Sequence, residues 1–474
     1  MRKKNAAILT MAIVMIFWSV GAYACTTILV TPGASVDGSA SVTHTCDSGT
    51  CPYELVKVPA QDWEPGTMVD VLHLPQYCKG FQRHEIAATP TGNQIPQVEH
   101  TYGYILGTFG VINEKQVSIG ENTTTMREES YNTNGYFEIT NLSVLAMERA
   151  ATAREAIQIM GSLGEKYGFK DWAEGLSVAD PNECWVFEMV GPGTLWEQGD
   201  EEPGAYWVAQ RVPDGHIAAS ANTPVIREID FDDHENFMFT PGLLEYAIEQ
   251  GWYDPESGEA FNWREHFCGL TYASKICDRR VWRVFCLVAP SLADTLDENS
   301  LPFSVPVDKK VSVADINNIQ RDHFEDSQYD MRYTLAAGPY NNPRRYHGTY
   351  FKAERDGEMR WFVFQRPIAT NACAYSITTQ SRSWLPDEIG AVVWYGGGIP
   401  DLTCYVPMYA SMPELSPCLN SKAGSKQNFT RDSYWWAIRS VNTYADLMYD
   451  CMSEYIYEWI DKYEGHAIRS QSAV

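Results

Sequence analysis

The sequence Cys25-Thr-Thr-Ile-Leu-Val30 is rich in β-branched residues and predicts a strand. Pro32-Gly33 begins a turn that ends near Asp37-Gly38, and residues 39–45 predict a second strand. Together the two strands predict a β-hairpin. Because residues 1–24 have the pattern of a segment that is removed during export, Cys25 would become the first residue of that hairpin.

The N-terminal segment carries the three features of a secretory signal peptide. Residues 2–4 are basic, residues 6–20 are apolar apart from two hydroxyl residues, and Ala22-Tyr23-Ala24 is a small-x-small cleavage motif. We therefore expect residues 1–24 to be cleaved off between Ala24 and Cys25. The mature protein is expected to be secreted or periplasmic, without stable membrane insertion. Lipid attachment to Cys25 is the alternative, and the bulky Tyr23 fits it poorly.

Composition limits the function classes. The chain has 474 residues, of which 45% are hydrophobic and 20% are charged, so it can bury a large core. This composition excludes a disordered, collagen-like, coiled-coil or multi-pass membrane protein. Its 36 basic and 61 acidic residues give a formal net charge of −25, which repels phosphate backbones. We therefore expect no nucleic-acid partner.

The rest of the chain predicts a layered protein of mixed helix and sheet. The clearest helical region is Leu142–Tyr167, in which Thr152-Ala-Arg-Glu155 is a capping box. Strands are predicted on both sides of it, for example at Tyr206–Arg211. One or two amphipathic helices are predicted near the C-terminus, at residues 435–463. No internal repeat or linker marks a domain boundary.

The cysteine pattern indicates neither a disulfide scaffold nor a metal site. Twelve cysteines in 474 residues are too few for such a scaffold, although an exported chain can form disulfides. Cys46 and Cys51 are close enough in sequence for a short bridge, but pairing cannot be deduced from sequence. Cys46 could be a disulfide partner, a packed thiol or a second reactive group. Neither a CxxC pair nor a Cys/His zinc spacing occurs, so we expect no metal and no cofactor.

A cysteine at a mature N-terminus has two chemically useful groups. Its thiol is a nucleophile, and a free α-amine ordinarily has a pKa of about 7.7–8.0, which suits a base near neutral pH. The amine of Cys25 could accept the proton of its own thiol, so no catalytic histidine would be needed. The alternative is that Cys25 is merely the residue that follows the cleavage motif.

The mature chain resembles the cysteine dipeptidases of the N-terminal-nucleophile (Ntn) hydrolases, the dipeptidase A and secernin-like enzymes, which are related to penicillin V acylase and bile-salt hydrolase. The resemblance covers nearly all of the mature chain in order. The segments that carry it are Cys25-Thr-Thr-Ile-Leu-Val, Asp37-Gly38-Ser39, Asp47-Ser48, Gly110-Val-Ile-Asn113-Glu114, Leu145-Ala-Met-Glu-Arg149-Ala, Ala153-Arg-Glu-Ala156, Trp207–Asp214, Ser220-Ala-Asn222, Arg280-Val-Trp-Arg283, Tyr405-Val-Pro-Met-Tyr409 and Trp435-Trp436.

The resemblance implies an α+β fold, a four-layer αββα sandwich of the Ntn-hydrolase type. Residues 25–474 would form one dipeptidase domain with a C-terminal helical extension. Cys25 would be the nucleophile at the start of a central strand, and Asp47 would hold and orient its α-amine. The alternative for Asp47 is a turn-capping role before Ser48.

Three further catalytic residues are implied by the same resemblance. Asn122 would stabilise the oxyanion, although it also begins the glycosylation sequon Asn-Thr-Thr. Asn222 and Arg280 correspond more loosely to a second asparagine and an arginine near the reacting centre. Their alternatives are a plain turn for Asn222 and a surface ion pair for Arg280.

The sequence departs from the family pattern at His44. The related dipeptidases usually have Arg-Asn-Glu-Asp before the serine, whereas this chain has His44-Thr-Cys-Asp47. His44 therefore occupies the arginine position as a candidate substrate-binding residue, and any substrate contact made by that arginine is weakened or replaced. This replacement puts substrate specificity in doubt, and also activity.

We expect an exported cysteine amidohydrolase that cleaves dipeptides through an acyl-thioester of Cys25. The expected partners are small peptide substrates, and a homo-oligomer is left open. Two alternatives remain. One is an acylase on non-peptide amides such as penicillin V, bile salts or N-acyl lactones, because loops on this scaffold choose the substrate. The other is an inactive binding protein on the same scaffold.

Overall fold

The computed structural model describes residues 25–49, 51–74, 88–268, 274–345, 350–355, 358–363, 365–420, 423–424, 426 and 428–471. The predicted signal peptide, residues 1–24, and Cys78 lie outside the described residues.

Most of the described strands belong to two large antiparallel sheets. In chain order the strands are β1 (Thr27–Val30), β2 (Ser41–Cys46), β3 (Val56–Val58), β4 (Gln61–Asp62), β5 (Met68–His73), β6 (Thr89–Pro96), β7 (His100–Thr101), β8 (Tyr104–Leu106), β9 (Gly110–Asn113), β10 (Ser118–Thr123), β11 (Glu174–Ala179), β12 (Cys184–Val190), β13 (Tyr206–Arg211), β14 (His216–Ser220), β15 (Phe237–Phe239), β16 (Ser304–Pro306), β17 (Tyr350–Arg355), β18 (Glu358–Val363), β19 (Tyr375–Gln380), β20 (Val392–Gly397) and β21 (Val406–Tyr409).

The first sheet has the order β16-β14-β1-β2-β19-β20-β21, and the second has the order β15-β13-β12-β11-β10-β9-β8-β3. Three short two-stranded ribbons, β4-β7, β5-β6 and β17-β18, lie outside them. All ladder pairings in these sheets are antiparallel, as between β1 and β14, where Thr27 lies opposite Ser220. The α+β prediction agrees with this mixed architecture of helices and antiparallel sheets.

The α-helices occur between the strands and at the C-terminal end of the chain. They are α1 (Ile139–Arg149), α2 (Ala153–Tyr167), α3 (Leu243–Glu249), α4 (Ser274–Val288), α5 (Val313–Gln320), α6 (Asp387–Gly390), α7 (Tyr434–Ala445) and α8 (Tyr449–Gln471).

The two large sheets pack on each other, with β1 and β2 of the first against β10 and β11 of the second. Helices α1 and α2 pack on the second sheet, whereas α4, α5 and α7 pack on the first. Strand β1 shows how the sequence produces this layering, because successive side chains of a strand point to opposite faces. Leu29 is buried in a cluster with residues of the second sheet, such as Val186. Its neighbours Ile28 and Val30 are buried with residues of α4 and α5.

The helices predicted from the sequence are present. The helical region Leu142–Tyr167 consists of two helices, and the Thr152 side chain accepts a hydrogen bond from the Glu155 backbone at 3.2 Å. Only this half of the predicted capping box forms, because the Glu155 carboxylate accepts from the Ala151 N–H at 2.7 Å rather than from that of Thr152. Gly168 ends α2 with a φ of 80°, a left-handed conformation that glycine adopts at little cost. Helices α7 and α8 correspond to the amphipathic helices predicted at residues 435–463. Within the described residues, no helix combines the length and apolarity that a membrane span requires.

Two threonine side chains shape the start of the N-terminal hairpin. The backbone N–H groups of Thr26 and Ile28 donate to the hydroxyl oxygens of Thr45 and Thr43, at 3.0 and 2.9 Å. Regular pairing of β1 with β2 involves only Leu29 and Val30 on the β1 side. The hydroxyl groups therefore hold the first residues of the hairpin beside β2, which positions Cys25 directly before β1.

Candidate active site

Arg280 fixes the backbone of Cys25. Its side chain reaches from α4 and is fully buried. Nη1 donates to the Cys25 carbonyl oxygen at 2.9 Å and to the Thr26 hydroxyl at 2.7 Å. Nη2 donates to the Ala221 carbonyl at 3.1 Å and to Asn222 Oδ1 at 2.8 Å. One planar guanidinium thus joins the start of β1 to the turn after β14, which a single ammonium could not do.

Asp47 directly follows β2 and is fully buried. Its Oδ2 accepts a hydrogen bond from Arg366 Nη2 at 3.2 Å, whereas Oδ1 has no hydrogen-bond partner among the described residues. Burial raises the pKa of Asp47 to about 6, although the positive charges of Arg366 and Arg280 lower it. An unpartnered carboxylate oxygen near Cys25 is suited to receive a cationic group.

The two asparagines predicted from the resemblance lie together. Asn122 Oδ1 accepts from the Asn222 backbone N–H at 3.1 Å and from the Ser220 hydroxyl at 2.9 Å. Asn122 Nδ2 donates to the Gly175 carbonyl at 3.1 Å. Asn222 has a φ of 65°, a left-handed conformation that asparagine tolerates better than most residues.

These contacts position the turn after β14 beside the start of β1. Because its Nδ2 is bonded to Gly175, Asn122 holds the turn in this arrangement, and its oxyanion role stays a prediction. Asn122 is also fully buried, so its sequon is not exposed in the folded chain.

His44 and Glu121 form a buried pair beside Cys25. His44 Nε2 lies 3.6 Å from Glu121 Oε2, and the two side chains are only 2% and 1% exposed. Neither of these two atoms has a hydrogen-bond partner among the residues described. Ligand atoms of Cys25, His44 and Glu121 all lie within 4.8 Å of one another. The rings of Phe109 and Tyr375 enclose the imidazole edge-on, at centroid distances of 5.5 and 5.8 Å.

The surroundings of the Cys25 thiol disfavour its ionised form. Burial raises its pKa well above the usual value, and the negative charges of Glu121 and Asp47 raise it further. A hydrogen bond from the Asp47 backbone acts in the opposite direction. Cys25 is still bonded to Ala24 here, so its nitrogen is an amide and cannot accept a proton.

Further thiols lie near the site. Cys46 and Cys51 are both buried free thiols, and Cys46 Sγ lies 3.8 Å from the Thr108 hydroxyl oxygen. The Cys373 thiol donates to the Tyr375 carbonyl at 3.0 Å. Within the described ranges every cysteine is a free thiol. Of the three alternatives for Cys46, this geometry corresponds to the packed thiol.

Comparison with known proteins gives the family. The sequence profile of peptidase family C69 matches residues 24–462. The chain belongs to peptidase family C69. It is therefore a hydrolase of peptide bonds, as the sequence predicts.

Three curated relatives cover most of this family C69 peptidase. A "Probable dipeptidase" from Latilactobacillus sakei is 26% identical over 82% of this chain and 74% of the relative. A "Dipeptidase A" from Lactobacillus helveticus is 24% identical over 82% of this chain and 75% of the relative. A "Probable dipeptidase A" from Streptococcus pyogenes serotype M3 is 24% identical over 94% of this chain and 88% of the relative.

Sequence reasoning missed two charged residues of the candidate site. Glu121 lies inside β10, and a carboxylate within an otherwise uncharged strand is a feature that could have identified it. Arg366 is 319 residues from Asp47 in the chain, and nothing in the local sequence around it indicates the contact.

Proposed function

We propose that this peptidase is an exported cysteine dipeptidase in which Cys25, freed by removal of residues 1–24, is the nucleophile. One observation carries the proposal. Cys25 stands at the head of a central strand, among Arg280, Asp47 and Glu121, where a new α-amine would meet unpartnered carboxylate oxygens. The names of the relatives, each described as a dipeptidase or probable dipeptidase, support the same substrate class.

The proposed reaction begins with proton transfer from the Cys25 thiol to its own α-amine. The thiolate attacks the scissile carbonyl carbon and forms a tetrahedral intermediate. Its C–N bond then breaks, and the α-ammonium gives its proton to the leaving amine. Water, deprotonated by the α-amine, attacks the resulting thioester. The carbon–sulfur bond breaks, the acid leaves, and the sulfur regains a proton.

Asp47 and Arg280 support this cycle in different ways. The carboxylate of Asp47 stabilises the α-ammonium that forms during attack. Arg280 acts as a positioning residue, because it bonds the Cys25 carbonyl rather than the sulfur. Asn122 and Asn222 hold the neighbouring turn. Asn122 remains our candidate oxyanion donor. One N–H of its Nδ2 bonds the Gly175 carbonyl, and the second, which lies 3.5 Å from the Thr27 hydroxyl oxygen, would turn to the substrate oxygen.

Glu121 favours dipeptides over N-acyl amides. At attack the sulfur and the scissile carbon are about 3–3.5 Å apart, so a free α-ammonium one carbon away would lie within about 5 Å of the sulfur. A Glu121 carboxylate oxygen is within 4.8 Å of the Cys25 ligand atom, at the distance where it can pair with that ammonium. An N-acyl amide has no such charge. His44 lies beside Glu121 and would contact the same end of the substrate.

Matched substrates test this proposal. We expect cleavage of alanyl dipeptides and, because acetylation removes the ammonium, little cleavage of their N-acetyl forms. Glu121→Gln should raise KM for the free dipeptides. The control is Glu174→Gln, at a neighbouring carboxyl whose pKa is raised well above its usual value by burial and by the charge of Glu121. Faster cleavage of the N-acetyl forms would instead support the acylase alternative, and no turnover with any amide would support the inactive binding protein.

Two structural parts of the proposal concern the fold and the compartment. The stacked sheets with helices on both outer faces support the four-layer αββα sandwich of the Ntn hydrolases. The basic, apolar and cleavage segments of residues 1–24 support export to a secreted or periplasmic location. Residues 25–474 would then form the dipeptidase domain, with α7 and α8 as its C-terminal helical extension.

A further inference from the structure

The Cys25, His44 and Glu121 cluster contains the donor set of a zinc site, although no local zinc motif exists in the sequence. Ligand atoms of the three residues lie within 4.8 Å of one another. His44 Nε2 and Glu121 Oε2 are buried and have no hydrogen-bond partner within the described part of the chain. A buried polar atom without a hydrogen bond lowers the stability of the fold. Two such atoms beside Cys25 therefore call for an explanation, and a bound ligand would provide one.

The separation of the His44 and Glu121 atoms suits two ligands of a tetrahedral metal ion. Zinc binds histidine nitrogen at about 2.0–2.1 Å and carboxylate oxygen at about 2.0–2.2 Å, so two such ligands in a tetrahedron are about 3.4 Å apart. The observed separation between His44 Nε2 and Glu121 Oε2 is 3.6 Å. The sulfur is the soft ligand that distinguishes zinc from Mg²⁺ or Ca²⁺, which bind oxygen.

We propose that Cys25, His44 and Glu121 bind Zn²⁺, and that zinc reversibly inhibits this peptidase. A thiolate and a carboxylate balance the charge of the dication in this buried site. In the processed protein the α-amine of Cys25 supplies the fourth ligand, because the nitrogen and sulfur of one cysteine close a five-membered chelate ring. That fourth ligand rests on the proposed function, whereas the three side-chain ligands do not.

Inhibition follows from the ligands themselves. Zinc displaces the thiol proton to solvent and forms a Zn–S bond, so the sulfur is no longer a free nucleophile. The α-amine lone pair is occupied at the same time and cannot serve as the base. Glu121 is also the group proposed to pair with the substrate ammonium. Zinc is therefore expected to compete with dipeptides, and a chelator is expected to restore full activity.

The test measures metal binding directly and does not depend on turnover. Processed, metal-free protein is titrated with Zn²⁺ by calorimetry and with Co²⁺ by absorbance, which shows a thiolate-to-metal charge-transfer band when sulfur binds. We expect one tight equivalent with that band. His44→Arg, which has the side chain usual in related dipeptidases, and Glu121→Gln should each weaken binding at least about tenfold, as the loss of a ligand contact does.

Two control variants separate this site from its neighbours. Cys51→Ser tests whether the thiols of Cys46 and Cys51 bind the metal instead, and Glu174→Gln changes the adjacent carboxyl group. Both should keep the wild-type affinity, and X-ray absorption of the zinc form should show one sulfur with nitrogen and oxygen ligands. The proposal is overturned if no zinc binds, if Cys51→Ser removes the site, or if His44→Arg and Glu121→Gln bind as tightly as wild type. Zinc binding without peptidase activity would contradict only the proposed function.

Discussion

Arg280 Nη1 donates a hydrogen bond to the carbonyl oxygen of Cys25 at 2.9 Å, across 255 residues of chain. The same guanidinium bonds Asn222 Oδ1 at 2.8 Å. The residue proposed as nucleophile is therefore held through its backbone, which leaves its sulfur free to face Glu121 and Asp47. This arrangement divides the site into groups that position Cys25 and groups whose charges act on it.

Replacing Arg280 should impair catalysis through position. Arg280→Lys keeps the charge but cannot bridge Cys25 and Asn222 at once. We expect kcat to fall about 100-fold with a much smaller change in KM, as small misplacements of reacting groups do. Steady-state kinetics with a dipeptide measures both constants. The control is Arg279→Lys, whose side chain bonds Glu298 and Gln365 instead. Equal activity of the two variants would contradict the positioning role.

Asp47→Asn should lower kcat and also shift the pH profile. The variant loses the carboxylate that stabilises the α-ammonium, so proton transfer through the α-amine is impaired, which can cost up to about 10²–10⁴ in rate. Because that carboxylate raises the pKa of the neighbouring amine, its removal moves the acid limb of kcat to lower pH. Asp37→Asn, in the turn of the same hairpin, is the matched control, since Asp37 bonds only turn and sheet residues such as Ser39 and Gln380. If the acid limb of the kcat profile is unchanged in Asp47→Asn, Asp47 does not act on the α-amine and serves only as a turn residue.

Cys25 should be the site of covalent labelling only after cleavage. In the uncleaved chain, burial and nearby negative charges raise the pKa of the thiol, so iodoacetamide should react slowly. Removal of residues 1–24 adds a cationic α-ammonium, which lowers the thiol pKa and speeds the reaction. Peptide mapping by mass spectrometry identifies the labelled residue in both forms. Cys25→Ala should abolish turnover and Cys25→Ser should retain little of it, and near-wild-type turnover in Cys25→Ala would exclude it as the nucleophile.

Glu188 makes stability depend on pH. Burial raises the pKa of this carboxyl to about 7, so the folded chain binds a proton that the unfolded chain releases near pH 4.5. Stability is therefore highest below the unfolded pKa and falls as pH rises through about 7. Raising the pH from 5 to 8 should therefore lower the free energy of unfolding by about 2 kcal/mol through this single group.

Urea unfolding at the two pH values measures this effect. Glu188→Gln, which is neutral at both, should remove about 2 kcal/mol of the pH dependence. Glu183→Gln is the control, because the pH dependence that Glu183 causes has the opposite sign. Although partial burial raises the pKa of Glu183, Arg154 and Arg211 lower it overall, so the charged form stabilises the fold at high pH. If the free energy of unfolding depends on pH equally in wild type and Glu188→Gln, then ionisation of Glu188 does not destabilise the fold and the prediction is wrong.

The sequence predicts the parts of this structure that depend on local patterns. The hairpin after Cys25, the cap at Thr152 and the strand Tyr206–Arg211 follow from propensity and turn residues. The contact of Arg280 with Asn222 could be anticipated only through the resemblance.

The rest depends on contacts between distant segments. Glu121 meets Cys25 and His44 because β10 of one sheet packs on β1 and β2 of the other. Arg366 contacts Asp47 although 319 residues of chain separate them. Tertiary packing brings these residues together, and a short stretch of sequence does not reveal which distant segments will pack on it.

The central claim is that Cys25 uses its own α-amine as the base, and blocking that amine tests it most directly. Protein beginning at Cys25 is compared with protein beginning Met-Cys25, each N-terminus being confirmed by intact mass. The account predicts that kcat/KM for a dipeptide is at least about 100-fold lower in the form that retains methionine, since general-base catalysis contributes about that much or more. Equal activity of the two forms would contradict it and would require a side chain, with His44 the nearest candidate, to act as the base.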